Sequence, residues 1–480
     1  MVFSSLIFVF AFLAVTIALY FAAPRRLKNT VLFVMSLIFY GWAAPLFLPI
    51  MIVSITTAFF FGFPIAKYRF TNQKKAKIYL AISLGFNLVW LLFFKYTNFF
   101  IDNLKAIPFF EGISNITEFS IGFLSETPFA FTLPLGISFY TFQIMSYSID
   151  LYRGQTEVQR NYVSFGAYVT LFPQLVAGPI VRYRDIDDML TERRETVSEF
   201  AAGARRFMAG LCKKILLADV AAGVVDSFDA ALKAEQTALA GWMVVLFYTF
   251  RIYFDFSAYS DMAIGLGRMF GFTFLENFDY PYISKSITEF WRRWHISLSS
   301  WFREYVYIPL GGNRKGKVKQ YRNLAIVWFL TGFWHGASWN FIIWGVYFLI
   351  LLVIEKAFLL KWLERAPKVV SHIYSLFFIA IGWLIFYYTD TSAGMNCFTA
   401  MFGAGSFSNP VVTYNVLRLL PTIAVFCIAA TPLPKKLWYR FMDGNEVCRV
   451  ITTLLLIAGL LLCTSYMVSS SYSPFLYWNF

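Results

Sequence analysis

Met1-Val2-Phe3-Ser4-Ser5-Leu6-Ile7-Phe8-Val9-Phe10-Ala11-Phe12-Leu13-Ala14-Val15-Thr16-Ile17-Ala18-Leu19-Tyr20-Phe21-Ala22-Ala23-Pro24 opens the chain without a single charge before Arg25. About 20 apolar residues, rising about 1.5 Å each, cross a hydrocarbon core of about 30 Å. The run is long enough to span a bilayer. It has neither a basic start nor a small-x-small cleavage site before Pro24, which predicts a retained helix and not a signal peptide. The remainder agrees with it. Of 480 residues, 59% are hydrophobic, 20% aromatic and 14% charged, whereas soluble domains carry about 25% charged residues. Disorder, a coiled coil and a secreted disulfide scaffold are excluded, and a polytopic membrane protein is predicted. Cys212, Cys397, Cys427, Cys448 and Cys463 form no C-x-x-C pair, so neither a metal site nor a disulfide frame is expected.

The net charge of +14 then reads as topology and not as nucleic-acid binding. Thirteen positive charges fall in three acid-free segments: 25–28 (Arg25, Arg26, Lys28), 67–77 (Lys67, Arg69, Lys74, Lys75, Lys77) and 311–322 (Arg314, Lys315, Lys317, Lys319, Arg322). Short basic loops stay on the cytoplasmic side, which places these segments in the cytoplasm and the N-terminus outside. Helices two and three form a hairpin through 41–49, and helix four covers about 78–94. The loop 96–128 is expected to be external, with Asp102, Glu111, Glu118 and Glu126 against Lys105. Residues 131–149 return inward. The stretch 167–179, broken by Pro173, Gly178 and Pro179, is too short for a plain span. It predicts a re-entrant segment, since membranes tolerate irregular backbone only inside protein. The balanced charges of 182–206 predict cytoplasmic surface, leading into 207–225. Further spans are expected at about 238–265, 323–350, 370–388, 411–430 and 449–468. The fold class is thus an all-α polytopic membrane helix bundle of about ten to twelve spans, with re-entrant and interfacial helices. Residues 1–480 read as one integral membrane domain.

Ionisable groups at membrane depth are costly, and each one suggests function. His335, in Leu330-Thr331-Gly332-Phe333-Trp334-His335-Gly336-Ala337-Ser338-Trp339-Asn340, lies twelve residues beyond Asn323, about 18 Å along a helix and close to the midplane. Gly332 and Gly336 allow close approach of backbone or ligand. Ser338 and Trp339 fall at i+3 and i+4, on the same helical face. A neutral imidazole there is suited to take a proton from a hydroxyl; a histidine bonded to a neighbouring helix for packing is the alternative. In 287–305, Ile287, Phe290, Trp291, Trp294, Leu298, Trp301, Phe302 and Tyr305 recur at helical spacing, with charges on the opposite face. That predicts one amphipathic helix whose tryptophans suit the cytoplasmic interface. His295 flanks its apolar stripe, either as a functional group or as an interfacial anchor. Asp255 and Asp261 lie in an otherwise apolar helix, where Asp255 with Tyr259, and Ser257 with Asp261, form i,i+4 pairs. Their spacing puts the carboxylates on different faces, so a paired-carboxylate site is not supported. Pairing with a cation such as Arg251 is the structural alternative. Phosphate-loop, zinc-protease and nucleophile-elbow motifs do not occur.

The run Ser286-Ile287-Thr288-Glu289-Phe290-Trp291-Arg292-Arg293-Trp294-His295-Ile296-Ser297-Leu298-Ser299, then Tyr307-Ile308-Pro309-Leu310-Gly311-Gly312-Asn313-Arg314 and Phe333-Trp334-His335-Gly336-Ala337, resembles the membrane-bound O-acyltransferase (MBOAT) superfamily. Within it, the likeness is greatest to the membrane subunits of bacterial alginate O-acetylation. Phe94-Lys95-Tyr96, the block 133–140, Ala177-Gly178-Pro179 and the block 253–265 also fit. The resemblance implies a helix bundle around a transmembrane tunnel in the bacterial cytoplasmic (inner) membrane. It puts the essential histidine at His335 and the second motif histidine at His295. It further implies an acyl group taken from a cytoplasmic thioester, with acetyl-CoA as donor and no permanently bound cofactor. The acetyl group would pass to an alginate-like extracytoplasmic polysaccharide through a periplasmic SGNH-hydrolase-like partner. On this reading His335 is the base, and His295 steers or binds the thioester end. A nucleophilic acyl-histidine intermediate stays open. Trp334, Ser338, Trp339, Asn340 and Asp255 are candidate tunnel-lining residues. Peptidoglycan O-acetylation, D-alanyl transfer to teichoic acid from a carrier protein, and a proton-coupled transporter using His335 and Asp255 are the competing readings.

Overall fold

The structure, a computed structural model, describes residues 1–110, 112, 133–442, 446–469 and 475–476. Helices dominate, and no β-strand occurs among these residues. This is what lipid demands, because a helix pairs its own backbone groups. In chain order the helices are α1 (Ile7–Ala22), α2 (Lys28–Ala43), α3 (Pro45–Tyr68), α4 (Gln73–Lys105), α5 (Ile137–Arg153), α6 (Tyr162–Thr170), α7 (Phe172–Leu175), α8 (Tyr183–Thr191), α9 (Val197–Cys212) and α10 (Asp219–Ala234). There follow α11 (Ala238–Met269), α12 (Ile287–Arg293), α13 (Ile296–Phe302), α14 (Lys317–His335), α15 (Trp339–Arg365), α16 (Lys368–Tyr387), α17 (Thr391–Met401), α18 (Pro410–Ala429), α19 (Leu433–Met442) and α20 (Glu446–Ser469). Seven of these, α3, α4, α11, α15, α16, α18 and α20, are long and apolar enough to cross a bilayer, and α1 is a shorter apolar helix.

Helix α11 is the central post, with 78% of its most apolar window buried against 11% for α18 and α20. The outer helices turn Leu417, Leu420, Leu454 and Leu461 outward. A belt of exposed leucines is stable where the surrounding solvent is lipid. Helix α9 packs along α11, and a π-helical turn, Lys213–Ala218, joins α9 to α10. That turn presents two consecutive lysines to two carboxylates of α11: Lys214 Nζ donates to Asp255 at 2.8 Å and Lys213 Nζ to Asp261 at 2.5 Å. Interhelical ion pairs thus replace the expected Asp255–Tyr259 and Ser257–Asp261 pairs, since a buried carboxylate gains more from a cation than from a hydroxyl. The cation is Lys214 and not Arg251, which faces Asp226 at 3.9 Å.

The three basic segments gather at one end of the bundle. Lys28 pairs with Glu195, Arg69 with Glu157 at 2.6 Å, Thr156 donates to Asp187 at 3.0 Å, and Arg182 pairs with Glu304 at 2.7 Å. These bonds tie 25–28 and 67–77 to 182–206 and to the turn after α13, from which 311–316 leads into α14.

Several elements differ from expectation. Helix α4 continues to Lys105, because no breaker interrupts 95–105. Tyr96 and Asp102 therefore belong to a helix and not to an external loop; Glu111, Glu118 and Glu126 lie outside the described residues. The re-entrant stretch starts earlier, at Tyr162, as two short helices, α6 and α7, that part at Leu171 ahead of Pro173, with 164–181 buried. The amphipathic stretch 287–305 is not one helix: α12 stops at Arg293, and α13 starts at Ile296. The span expected at 323–350 is a hairpin of α14 and α15.

Candidate active site

The hairpin is built on glycine. A Cβ on Gly332 would lie 2.4 Å from the Phe341 carbonyl oxygen, and one on Gly336 would lie 2.3 Å from the Phe341 ring. With only hydrogen at these positions, α14 and α15 approach closely, as small residues permit inside membranes. His335 is the last residue of α14, after which Gly336 is fully extended and Ser338 precedes the first turn of α15 without a side-chain capping bond. The break takes Ser338 and Trp339 off the face of His335. Trp339 points outward, 56% exposed, and its indole donates to Asn103 at 2.9 Å.

The His335 ring is 3% exposed and is walled by Trp334, Trp344 and Phe386, with ring centroids at 5.0, 5.0 and 5.2 Å. Two elements converge beneath it. From α4, Lys95 Nζ donates to the Trp334 carbonyl, lies 3.4 Å from both the His335 carbonyl and Ser138 Oγ, and sits 5.7 Å from the Trp334 ring centre. The neighbouring Tyr96 hydroxyl donates to the Phe333 carbonyl at 2.6 Å. Asn340, at the start of α15, donates to the Ile385 and Phe386 carbonyls at 3.3 and 3.2 Å, fixing the hairpin to α16. Of the candidate tunnel-lining residues, Trp334 packs against His335 and Asn340 ties the hairpin that carries it to α16. Asp255 is not among the hydrogen-bond partners of His335: its carboxylate takes Lys214 and the Leu476 backbone N–H at 2.7 Å.

His295 reaches the other edge of the Trp334 indole, with ring centroids 6.0 Å apart. The expected place on an apolar stripe is replaced by a strained one. His295 occupies the left-handed region at φ 44°, ψ 56°, between α12 and α13, a conformation that costs a non-glycine residue about 1–3 kcal/mol. Asn277, fully buried, holds it there. Its Oδ1 accepts from the Ser297 backbone N–H at 3.1 Å and from Ser297 Oγ at 2.9 Å, and lies 3.2 Å from His295 Nδ1. Because a backbone N–H only donates, this amide atom is the oxygen, and the Nδ1 facing it carries the proton. The lone pair of His295 is left on Nε2. Nothing in the sequence points to Asn277, eighteen residues away, and the aromatic run around Lys95 conceals it as a site residue. Its signal was a cation inside a long apolar helix.

On the basic end, a cavity of about 670 Å³ opens beside α12 and the 307–315 turn. Arg292, Arg303, Arg314, Lys315 and Lys356 line it, together with Asn313 and no carboxylate. Between the cavity-lining Arg292 and His335 the rings are packed: Trp291, next to Arg292, meets Trp344 with ring centroids 5.5 Å apart, and Trp344 meets His335 at 5.0 Å.

Comparison with known proteins identifies the family. The family model described as MBOAT, membrane-bound O-acyltransferase family, matches residues 157–399, which hold both histidines. The chain is 40% identical to "Probable alginate O-acetylase AlgI" of Pseudomonas putida over 100% of both chains. It is 32% identical to "Peptidoglycan O-acetyltransferase" of Helicobacter pylori, covering 100% of this chain and 98% of that one. With "Teichoic acid D-alanyltransferase" of Bacillus subtilis it shares 27% over 52% of this chain and 68% of the relative.

Proposed function

This chain belongs to the membrane-bound O-acyltransferase family and is an O-acyltransferase, and from that premise we propose that it takes an acetyl group from cytoplasmic acetyl-CoA for O-acetylation of alginate outside the membrane. The observation that carries the reading is the placement of His335 at a hairpin apex, buried and walled by aromatic rings, in a chain that also holds a basic cavity without a carboxylate. Five cations without a carboxylate suit the phosphates of coenzyme A. The basic end is the cytoplasmic end of a protein in the bacterial inner membrane, with the N-terminus outside.

The chemistry is acyl transfer. Neutral His335 takes the proton of an acceptor hydroxyl as its oxygen attacks the thioester carbonyl. The tetrahedral oxyanion forms among dry aromatic walls, where fixed dipoles act strongly. When the intermediate collapses, the C–S bond breaks, and the departing thiolate takes the proton from the imidazolium, leaving an oxygen ester, a free thiol and neutral His335. His295, with its lone pair on Nε2, steers the donor by accepting from an amide N–H of its pantetheine arm. The acceptor is a periplasmic hydrolase-like partner that passes acetyl to alginate, or the polysaccharide itself.

The test is complementation. Expressed in an alginate-producing bacterium that lacks its own alginate O-acetylase, the chain is expected to restore ester-linked acetate to the exopolysaccharide. Charge reversal by Arg314→Glu with Lys315→Glu should abolish that restoration. Acetate appearing on peptidoglycan, or D-alanine on teichoic acid, would replace alginate as the acceptor.

A further inference from the structure

We propose that Lys95 and Tyr96 of α4 are positioning residues for His335: they cap the end of α14 and thereby hold the imidazole toward the reacting hydroxyl. The inference rests on His335 being the base. The last carbonyls of a helix have no intrahelical donor, and inside a membrane no water replaces it. Helix α14 ends without the usual left-handed turn, because Gly336 is extended at φ −174°, ψ 158°. Its final three carbonyls, those of Phe333, Trp334 and His335, are met instead by two consecutive side chains of another helix. The Tyr96 hydroxyl takes the first at 2.6 Å; Lys95 Nζ takes the second and lies 3.4 Å from the third.

Other contacts fix the same register. The Tyr96 ring stacks on the Phe333 ring with centroids 3.9 Å apart and planes 8° from parallel. The Lys95 head is 3.4 Å from Ser138 Oγ at the start of α5. A cation at a helix C-terminus also complements the helix dipole. The block Phe94-Lys95-Tyr96 thus has a use that its aromatic setting concealed: it aims the turn that carries His335.

The experiment measures thioester cleavage and acetyl transfer from acetyl-CoA by the full chain in lipid nanodiscs. Lys95→Met, Lys95→Arg and Tyr96→Phe are compared with wild type and with His335→Ala. Misplacing a catalytic group by about 1 Å costs on the order of 10²-fold in rate. Lys95→Met is therefore expected to lower kcat on the order of 10²-fold with the KM for donor unchanged, and Lys95→Arg, which keeps a charged donor, to recover most of it. Tyr96→Phe loses one neutral hydrogen bond and is expected to lower kcat about threefold to tenfold. It also keeps the ring stack, so it carries the test if Lys95→Met fails to fold. Wild-type kcat in both Lys95→Met and Tyr96→Phe, with His335→Ala inactive, would overturn the inference and leave the base standing. A raised donor KM at unchanged kcat would also overturn it, making Lys95 a donor-binding group. Activity retained in His335→Ala would instead remove the reading on which it rests.

Discussion

His335 owes its setting to where α14 stops. The sequence marks the residue plainly, as an imidazole between glycines in an aromatic run, but it does not mark the stop. Gly336-Ala337-Ser338 carries no charge and no proline, so helical spacing carried the expectation straight through to Trp339. Asn277 was invisible for a different reason. Its bond to His295 is a tertiary one, and a lone buried asparagine leaves no periodic trace. A residue-scale prediction concerns Glu195, on the segment between α8 and α9. Burial pushes its carboxyl up, but hydrogen bonds from Lys28 and Tyr20, with the charges of Lys28 and Arg193, outweigh burial and hold it below the usual glutamate range. A carboxylate depressed in the folded state stabilises fully above the unfolded value, about pH 4.3, and loses that contribution as pH falls through the folded one. Glu195→Gln should therefore lower stability by about 1.5 kcal/mol at neutral pH. In thermal melts of the solubilised protein the gap to wild type should close below about pH 4. A gap constant from pH 7 to pH 3 would contradict the pairing.

At the scale of elements, periodicity located the helices but could not count the breaks between them. The apolar spacing of 287–305 is satisfied by α12 and α13 together, because both halves bury the same kind of residue; Phe290, Trp294, Leu298 and Trp301 are all buried. The left-handed turn at His295 is set by Asn277 and lies outside that pattern. The position of α12 is fixed from another direction. Glu355, 1% exposed within α15, accepts from the Ile287 and Thr288 backbone N–H groups at 2.7 and 2.8 Å and from Thr288 Oγ1 at 2.6 Å. A carboxylate at a helix N-terminus satisfies otherwise unpaired donors and complements the dipole. Glu355→Ala would bury three donors unpaired and should cost about 3 kcal/mol, read as a lower melting temperature. Glu355→Gln, which keeps an acceptor, should cost less. Equal stability of Glu355→Ala and wild type would show that α12 is held by its aromatic face alone.

For the whole molecule, the charge pattern was the most legible feature. The sign of segments 25–28, 67–77 and 311–322 predicts a common side; Lys28 and Arg69 pair with Glu195 and Glu157, and Arg182 pairs with Glu304 in the turn that leads toward 311–322. The membrane class was equally legible, because exposed leucines and phenylalanines need lipid around them. The convergence of α4, α14, α15 and α16 on one histidine was not, because part of it depends on packing between residues more than 200 positions apart, as in Lys95 with Trp334. The family blocks held that information only as a list of matches. The most direct measurement is O-acetyl content of the secreted polysaccharide in cells expressing His335→Gln, with membrane abundance of the variant measured alongside. Acetylation should vanish at wild-type abundance. Acetylation that persists at that abundance would contradict the assignment of His335 as the base.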